Sequence, residues 1–281
     1  MSANQLSSFF SILLCLILIP AVMSAAPFNV EELILKVIKA EEENDKKAEN
    51  YVYEEMITIE KLNKKGETKK TRTKKFLVIS NPGITYELKS IDDNGEQIIV
   101  AGHPYESIST AIAVKGAPTP TANDAPKPER TKNAPLQYSE SLQMAELVKR
   151  YDFTYQGEQM KKNSLCYVLS FVPSKKMKAK SKVQKVLNNL TGKIWVDKQA
   201  YVIKACEADL DTSLYLAWPF ATLRDLRITY LGTRLPNGVW MPAELSLETI
   251  SRVFLSKSYL KQTAKMSDYR LLTPEEINAL K

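Results

Sequence analysis

The chain has 281 residues, 44% of them hydrophobic and 25% charged, with a formal net charge of +7 and only nine glycines. That length allows one large β domain or two small ones, and the apolar share excludes a wholly disordered chain. One histidine, three cysteines and the lack of a P-loop, a dinucleotide fingerprint or a G-x-S-x-G sequence argue against the common catalytic and zinc architectures.

Met1 to Ala26 carries no charged side chain, and its short apolar core from Phe9 to Ile19 ends at Pro20. This reads as a signal peptide, with Val22 and Ser24 at the small-residue positions before a cut after Ser24. Residues 1–24 are then the leader and residues 25–281 one exported domain. An uncleaved membrane anchor is the alternative, because the leader lacks Lys and Arg.

Asn29 is a helix N-cap with Glu32 three residues on, followed by an apolar stripe of Val30, Leu33, Ile34, Val37 and Ile38. A long alternating strand begins at Tyr51, with Tyr53, Ile57 and Ile59 on one face and Glu54, Thr58 and Glu60 on the other. Acidic residues along the strands read as solvated faces. Asn63-Lys64-Lys65-Gly66 turns the chain into a return strand ending near Ser80. Asn81-Pro82-Gly83 and Asp92-Asp93-Asn94-Gly95 supply further turns. Between Glu106 and Pro135 stand Pro118, Pro120, Pro126, Pro128 and Pro135, which predict a mobile loop. A short helix is expected over Ser139–Tyr151.

Tyr151–Gln156 and Leu165–Pro173 read as strands, with Gly157-Glu158 and Lys161-Lys162-Asn163 in their connection. Gly192–Asp197 and Ala200–Asp209 form a hairpin about Lys198-Gln199. The tract between carries Lys175, Lys176, Lys178, Lys180, Lys182 and Lys185 and a short helix through Val183 and Val186. Long strands follow at Leu223–Arg234, Val239–Phe254 and Tyr259–Arg270, then a helix started by Thr273-Pro274-Glu275-Glu276. The prediction is mainly antiparallel β (α+β): one curled half-barrel sheet of about ten or eleven strands, with short helices over its concave face.

No catalytic residue, metal or cofactor is assigned, and no enzyme activity is expected. His103 stands alone in Ala-Gly-His-Pro, and Asp197 and Glu207 sit near opposite ends of one hairpin. In a simple meander Cys166 and Cys206 are two strands apart, near 9.6 Å by strand spacing and beyond the roughly 7 Å a disulfide spans, so a bridge between them requires a different strand order or a marked bulge. The lysine tract has two readings: solvated strand ends, or a docking surface for an anionic membrane or an acidic protein.

Tyr155-Gln156-Gly157-Glu158, Cys166-Tyr167-Val168-Leu169 with Pro173, Gly192-Lys193-Ile194-Trp195-Val196-Asp197 and Val239-Trp240-Met241-Pro242 together resemble the outer-membrane lipoprotein-sorting proteins. This is the LolA/LolB-like superfamily, which includes the regulator RseB. The resemblance implies an unclosed barrel around a hydrophobic cavity, in the periplasm, holding an acyl chain or lipoprotein. A protein-binding envelope sensor of the same fold is the alternative; nucleic acid is not an expected partner. Alternation offers Tyr51, Tyr53, Ile57, Ile59, Tyr86, Leu88, Ile228 and Tyr230 as cavity residues.

Overall fold

Antiparallel strands dominate the computed structural model, which describes residues 28–80, 84–93, 95–104, 148–174, 178–179, 181–217, 221–254 and 256–279. The expected leader, the proline-rich loop and most of the Ser139–Tyr151 helix lie outside these residues.

Helix α1 runs Val30–Ala48. Asn29 Oδ1 accepts the Glu32 N–H at 3.0 Å, satisfying one of the free donors of the first turn. The Glu32 side chain turns instead to Lys36, at 2.7 Å. Leu33, Ile34 and Val37 are buried against the sheet, each contributing roughly 1.5–3 kcal/mol by leaving water.

The strands are β1 Tyr51–Leu62, β2 Thr68–Ser80, β3 Ile84–Asp93, β4 Glu96–Pro104, β5 Tyr151–Lys161, β6 Ser164–Pro173, β7 Leu190–Asp197 and β8 Ile203–Leu210. They continue as β9 Leu214–Ala217, β10 Ala221–Arg234, β11 Trp240–Val253 and β12 Ser256–Leu271. Two short helices complete the set, α2 Lys182–Leu187 and α3 Pro274–Ala279. The sheet order is β4-β3-β2-β1-β12-β11-β10-β8-β7-β6-β5, with β9 paired to β10. The sheet is open and curled, the expected half-barrel, with one short strand more than the sequence suggested. Among the described residues no helix is long and apolar enough to cross a membrane.

The order has a consequence for the chain's path. Each half is a meander, and the halves join where β1 pairs with β12 from Tyr51↔Leu271 to Leu62↔Tyr259. The consecutive strands β4 and β5 therefore form the two outer edges. A row of register partners crosses the concave face from Tyr155 through Leu169, Ile194, Cys206, Tyr230, Leu245 and Ala264 to Ile57.

Two apolar clusters occupy this face. One joins α1 to Leu169, Phe171, Ile194, Val196, Leu223 and Leu226. The other gathers Tyr51, Tyr53, Ile57, Phe76, Val78 and Met241. A third, on the convex face, holds Cys166, Val168, Trp195 and Ala205.

Turns differ from expectation at two places. Gly157, at φ +104°, is a bulge inside β5, which continues to Lys161; the turn itself is Lys162-Asn163, both at positive φ. The bulge turns Gln159 and Lys161 onto the convex face. There Gln159 Oε1 accepts the Trp195 Nε1–H at 2.9 Å, and the Lys161 ammonium lies 3.8 Å from the ring centroid. The Asp197 turn is longer than a tight hairpin, because Asp197 Oδ1 accepts from both Gln199 and Ala200 N–H at 2.9 Å. Thr273 and Glu276 form the predicted reciprocal cap of α3.

Candidate functional site

The candidate site is a cavity of about 320 Å³ between α1 and the first apolar cluster. Ile34, Val37 and Glu41 line it from the helix. Tyr151, Phe153 and Phe171 close it from β5 and β6, where their rings meet edge-on or tilted. Its floor is Leu190, Ile194 and Ala208, and its far wall Cys206, Ile228 and Tyr230. The period-2 alternation of β7, β8 and β10 puts these side chains on the inner face.

Two side chains latch α1 over the cavity. Glu41 Oε1 accepts the Ile203 N–H at 2.7 Å. Asn44 holds the Trp240 peptide from both sides, donating to its carbonyl at 2.9 Å and accepting its N–H at 2.8 Å. At the helix entrance Phe28 stacks on Tyr155, with ring centroids 3.7 Å apart.

Burial governs the ionisable groups of the lining. Burial pushes the Cys206 thiol up to about 12 and the Tyr151 phenol likewise to about 12, so both stay protonated near neutrality. The Tyr151 hydroxyl is engaged, donating to the Leu187 carbonyl at 2.8 Å. Burial raises the Glu41 carboxyl to about 7, opposed by the Ile203 N–H and reinforced by Asp45. No group of three potential metal ligands occurs among the described residues.

Of the cavity residues expected from alternation, Ile228 and Tyr230 are in the lining. Tyr51, Tyr53 and Ile57 are buried in the second cluster, and Ile59 packs against it. Tyr86 and Leu88 pair with Val78 and Phe76 in β3; their side chains lie outside the described set. His103 is in β4, its side chain likewise undescribed. In the lysine tract Lys175, Lys176 and Lys180 lie outside the described residues. Lys178 and Lys182 are exposed, and Lys185 donates to the Tyr215 carbonyl at 2.9 Å.

The acidic pair set aside in the sequence has structural partners. Asp197 caps its turn, and Glu207 accepts from Lys161 at 2.8 Å. Cys166 and Cys206 are free thiols on opposite faces of the sheet, with β7 between them. The expectation that strand carboxylates are solvated fails at Glu55, which is 1% exposed with both oxygens unbonded among the described residues. It sits at an inner position of β1, opposite Phe76 of β2 and Met266 of β12, so the shell buries it.

The cavity residues offered from alternation left out those that α1 and β5–β8 supply. The signal was present: the α1 stripe and the inner residues Ile194 and Val196 were both legible. Nothing in a strand's alternation says where the layer above it stands off.

No protein-family model matches the chain, and no curated protein matches it in sequence. Solved structures do resemble it. A DUF1329 family protein from Desulfovibrio piger is 13% identical, over 90% of this chain and 99% of that one, with a TM-score of 0.39. A LolA superfamily protein from Nitrosomonas europaea is 11% identical, over 89% and 97%, with a TM-score of 0.34. The MucA/MucB complex of Pseudomonas aeruginosa contains a chain 9% identical, over 84% and 99%, at 0.27. The superfamily that the strand-and-turn pattern resembles is among them. What the cavity can hold follows from its own lining.

Proposed function

We propose that this chain is an exported, non-catalytic binding protein that carries an acyl chain in the cavity beneath α1. The observation that carries this reading is the lining: aliphatic and aromatic side chains from two helices and five strands converge on about 320 Å³, within the range of small-molecule sites. Each methylene moved from water into such a space contributes about 0.8 kcal/mol. Polar groups are few in the lining, Glu41 being its one carboxylate, which suits a long apolar ligand with one polar end. Helix α1 is the movable cover, held by Glu41 and Asn44, and ligand exchange requires those bonds to open. The exposed Lys178, before α2, and Lys182, its first residue, offer a place to dock an anionic membrane or acidic partner during exchange.

Ala208 provides the test, because it is a small residue on the buried floor. Ala208→Trp should fill the cavity and abolish binding of a neutral fluorescent acyl probe, while the far-UV circular dichroism stays native. A probe that binds the folded variant as tightly as the parent places the ligand elsewhere and ends this reading.

A further inference from the structure

The cavity's one carboxylate narrows the ligand class, given the acyl-binding reading above. We propose that the site selects by head-group charge: it takes chains whose polar end is neutral or cationic, such as an ester, an amide or an ammonium, and turns away anionic amphiphiles, including free fatty acids.

The charges around the lining are few. Glu41 is the only acid or base among the lining residues of ordinary carboxylate or ammonium chemistry; no Lys, Arg or His accompanies it among the described residues. Asp45 stands one turn further along α1, and its charge acts on Glu41 in the same sense as burial. The nearby cations are turned to other partners. Lys36 is paired with Glu32 at 2.7 Å, Lys204 lies over the Trp240 ring at 4.8 Å from its centroid, and Arg150, buried next to Tyr151 and acting on its phenol, donates to Asn188 Oδ1 at 3.1 Å. The lysines of α2 are outside the lining, Lys185 being bound to the Tyr215 carbonyl.

A carboxylate-headed chain entering this space meets like charge at Glu41 and no cation in the lining itself, in surroundings where charges interact more strongly than in water. A neutral or cationic head escapes that repulsion. An amide N–H or ammonium gains further, because Glu41 has a second oxygen free of the Ile203 bond. The protein's overall +7 would suggest the opposite preference, so the local and global charges make contrary predictions.

The experiment uses the full folded chain and one conjugated-polyene fatty-acid chain in three forms: free carboxylate, methyl ester and trimethylammonium amide. Fluorescence titrations at about pH 8 should show the ester and ammonium forms binding at least about tenfold more tightly than the carboxylate, the lining itself holding Glu41 and no cation. Glu41→Gln keeps an oxygen acceptor for the Ile203 N–H and should bring the carboxylate to within about twofold of the ester, by the same reasoning. Equal binding of carboxylate and ester by the parent protein overturns the charge selection while leaving acyl binding intact. Binding of none of the three forms overturns acyl binding itself. The comparison within the parent protein decides the matter even where the variant does not fold.

Discussion

Glu55 should make the stability of this protein fall as pH rises, and replacing it with methionine should abolish that component. The carboxyl is 1% exposed and neither oxygen has a hydrogen bond among the described residues. Burial alone raises it from 4.5 to about 7. The gap between those values corresponds to about 3 kcal/mol, at about 1.4 kcal/mol per tenfold change in proton affinity. The folded state binds this proton more tightly than the unfolded chain. The neutral carboxyl is therefore tolerated below about pH 4.5, and stability is lost as pH rises from there through about 7. Urea unfolding of the parent at about pH 5 and about pH 8 should show a loss from Glu55 of about 2–3 kcal/mol. Glu55→Met preserves volume beside Phe76 and Met266 and should be more stable at the higher pH by a similar amount. Glu41 titrates in both proteins and cancels in the comparison. Identical pH slopes for parent and variant would refute the reasoning, since Glu55 would then ionise as freely folded as unfolded.

Gly192→Ala should destabilise the sheet by about 2–3 kcal/mol or more, measured by thermal or denaturant unfolding. A Cβ there would lie 2.0 Å from the Glu207 carbonyl oxygen and 2.8 Å from the Phe171 ring, and the backbone cannot move aside cheaply. Asn44→Ala removes both bonds that tie α1 to the Trp240 peptide. It should lower stability by about 1–3 kcal/mol and speed release of a bound acyl probe in stopped-flow exchange; an unchanged release rate would show that α1 does not gate the cavity.

Much of the fold was legible because local chemistry and periodicity agree. Asn29 with the α1 stripe, the Thr273–Glu276 cap and the alternation that separates Ile194 and Val196 from Trp195 are readable residue by residue. The pairing of β1 with β12 is not, because alternation assigns a face to each strand but no partner to it. Gly157 shows a related ambiguity: a glycine at positive φ serves a bulge as well as a turn, and only the partner strand distinguishes them. The site was half legible for the same reason. Tyr51, Tyr53, Ile57, Ile228 and Tyr230 belong to inner-face clusters or to their margins, yet only the last two line the cavity. The difference depends on where α1 stands off the sheet. Glu41 carried no signal of its own, being one acid in a run of acids at 41–43.

The most direct measurement is native mass spectrometry of the protein isolated without detergent from the cells that make it, followed by organic extraction. An apolar cavity of this size predicts a folded species carrying one acyl-containing molecule, released on extraction and lost in Ala208→Trp. A parent protein that is ligand-free in the native spectrum and yields no acyl species on extraction would contradict the carrier account.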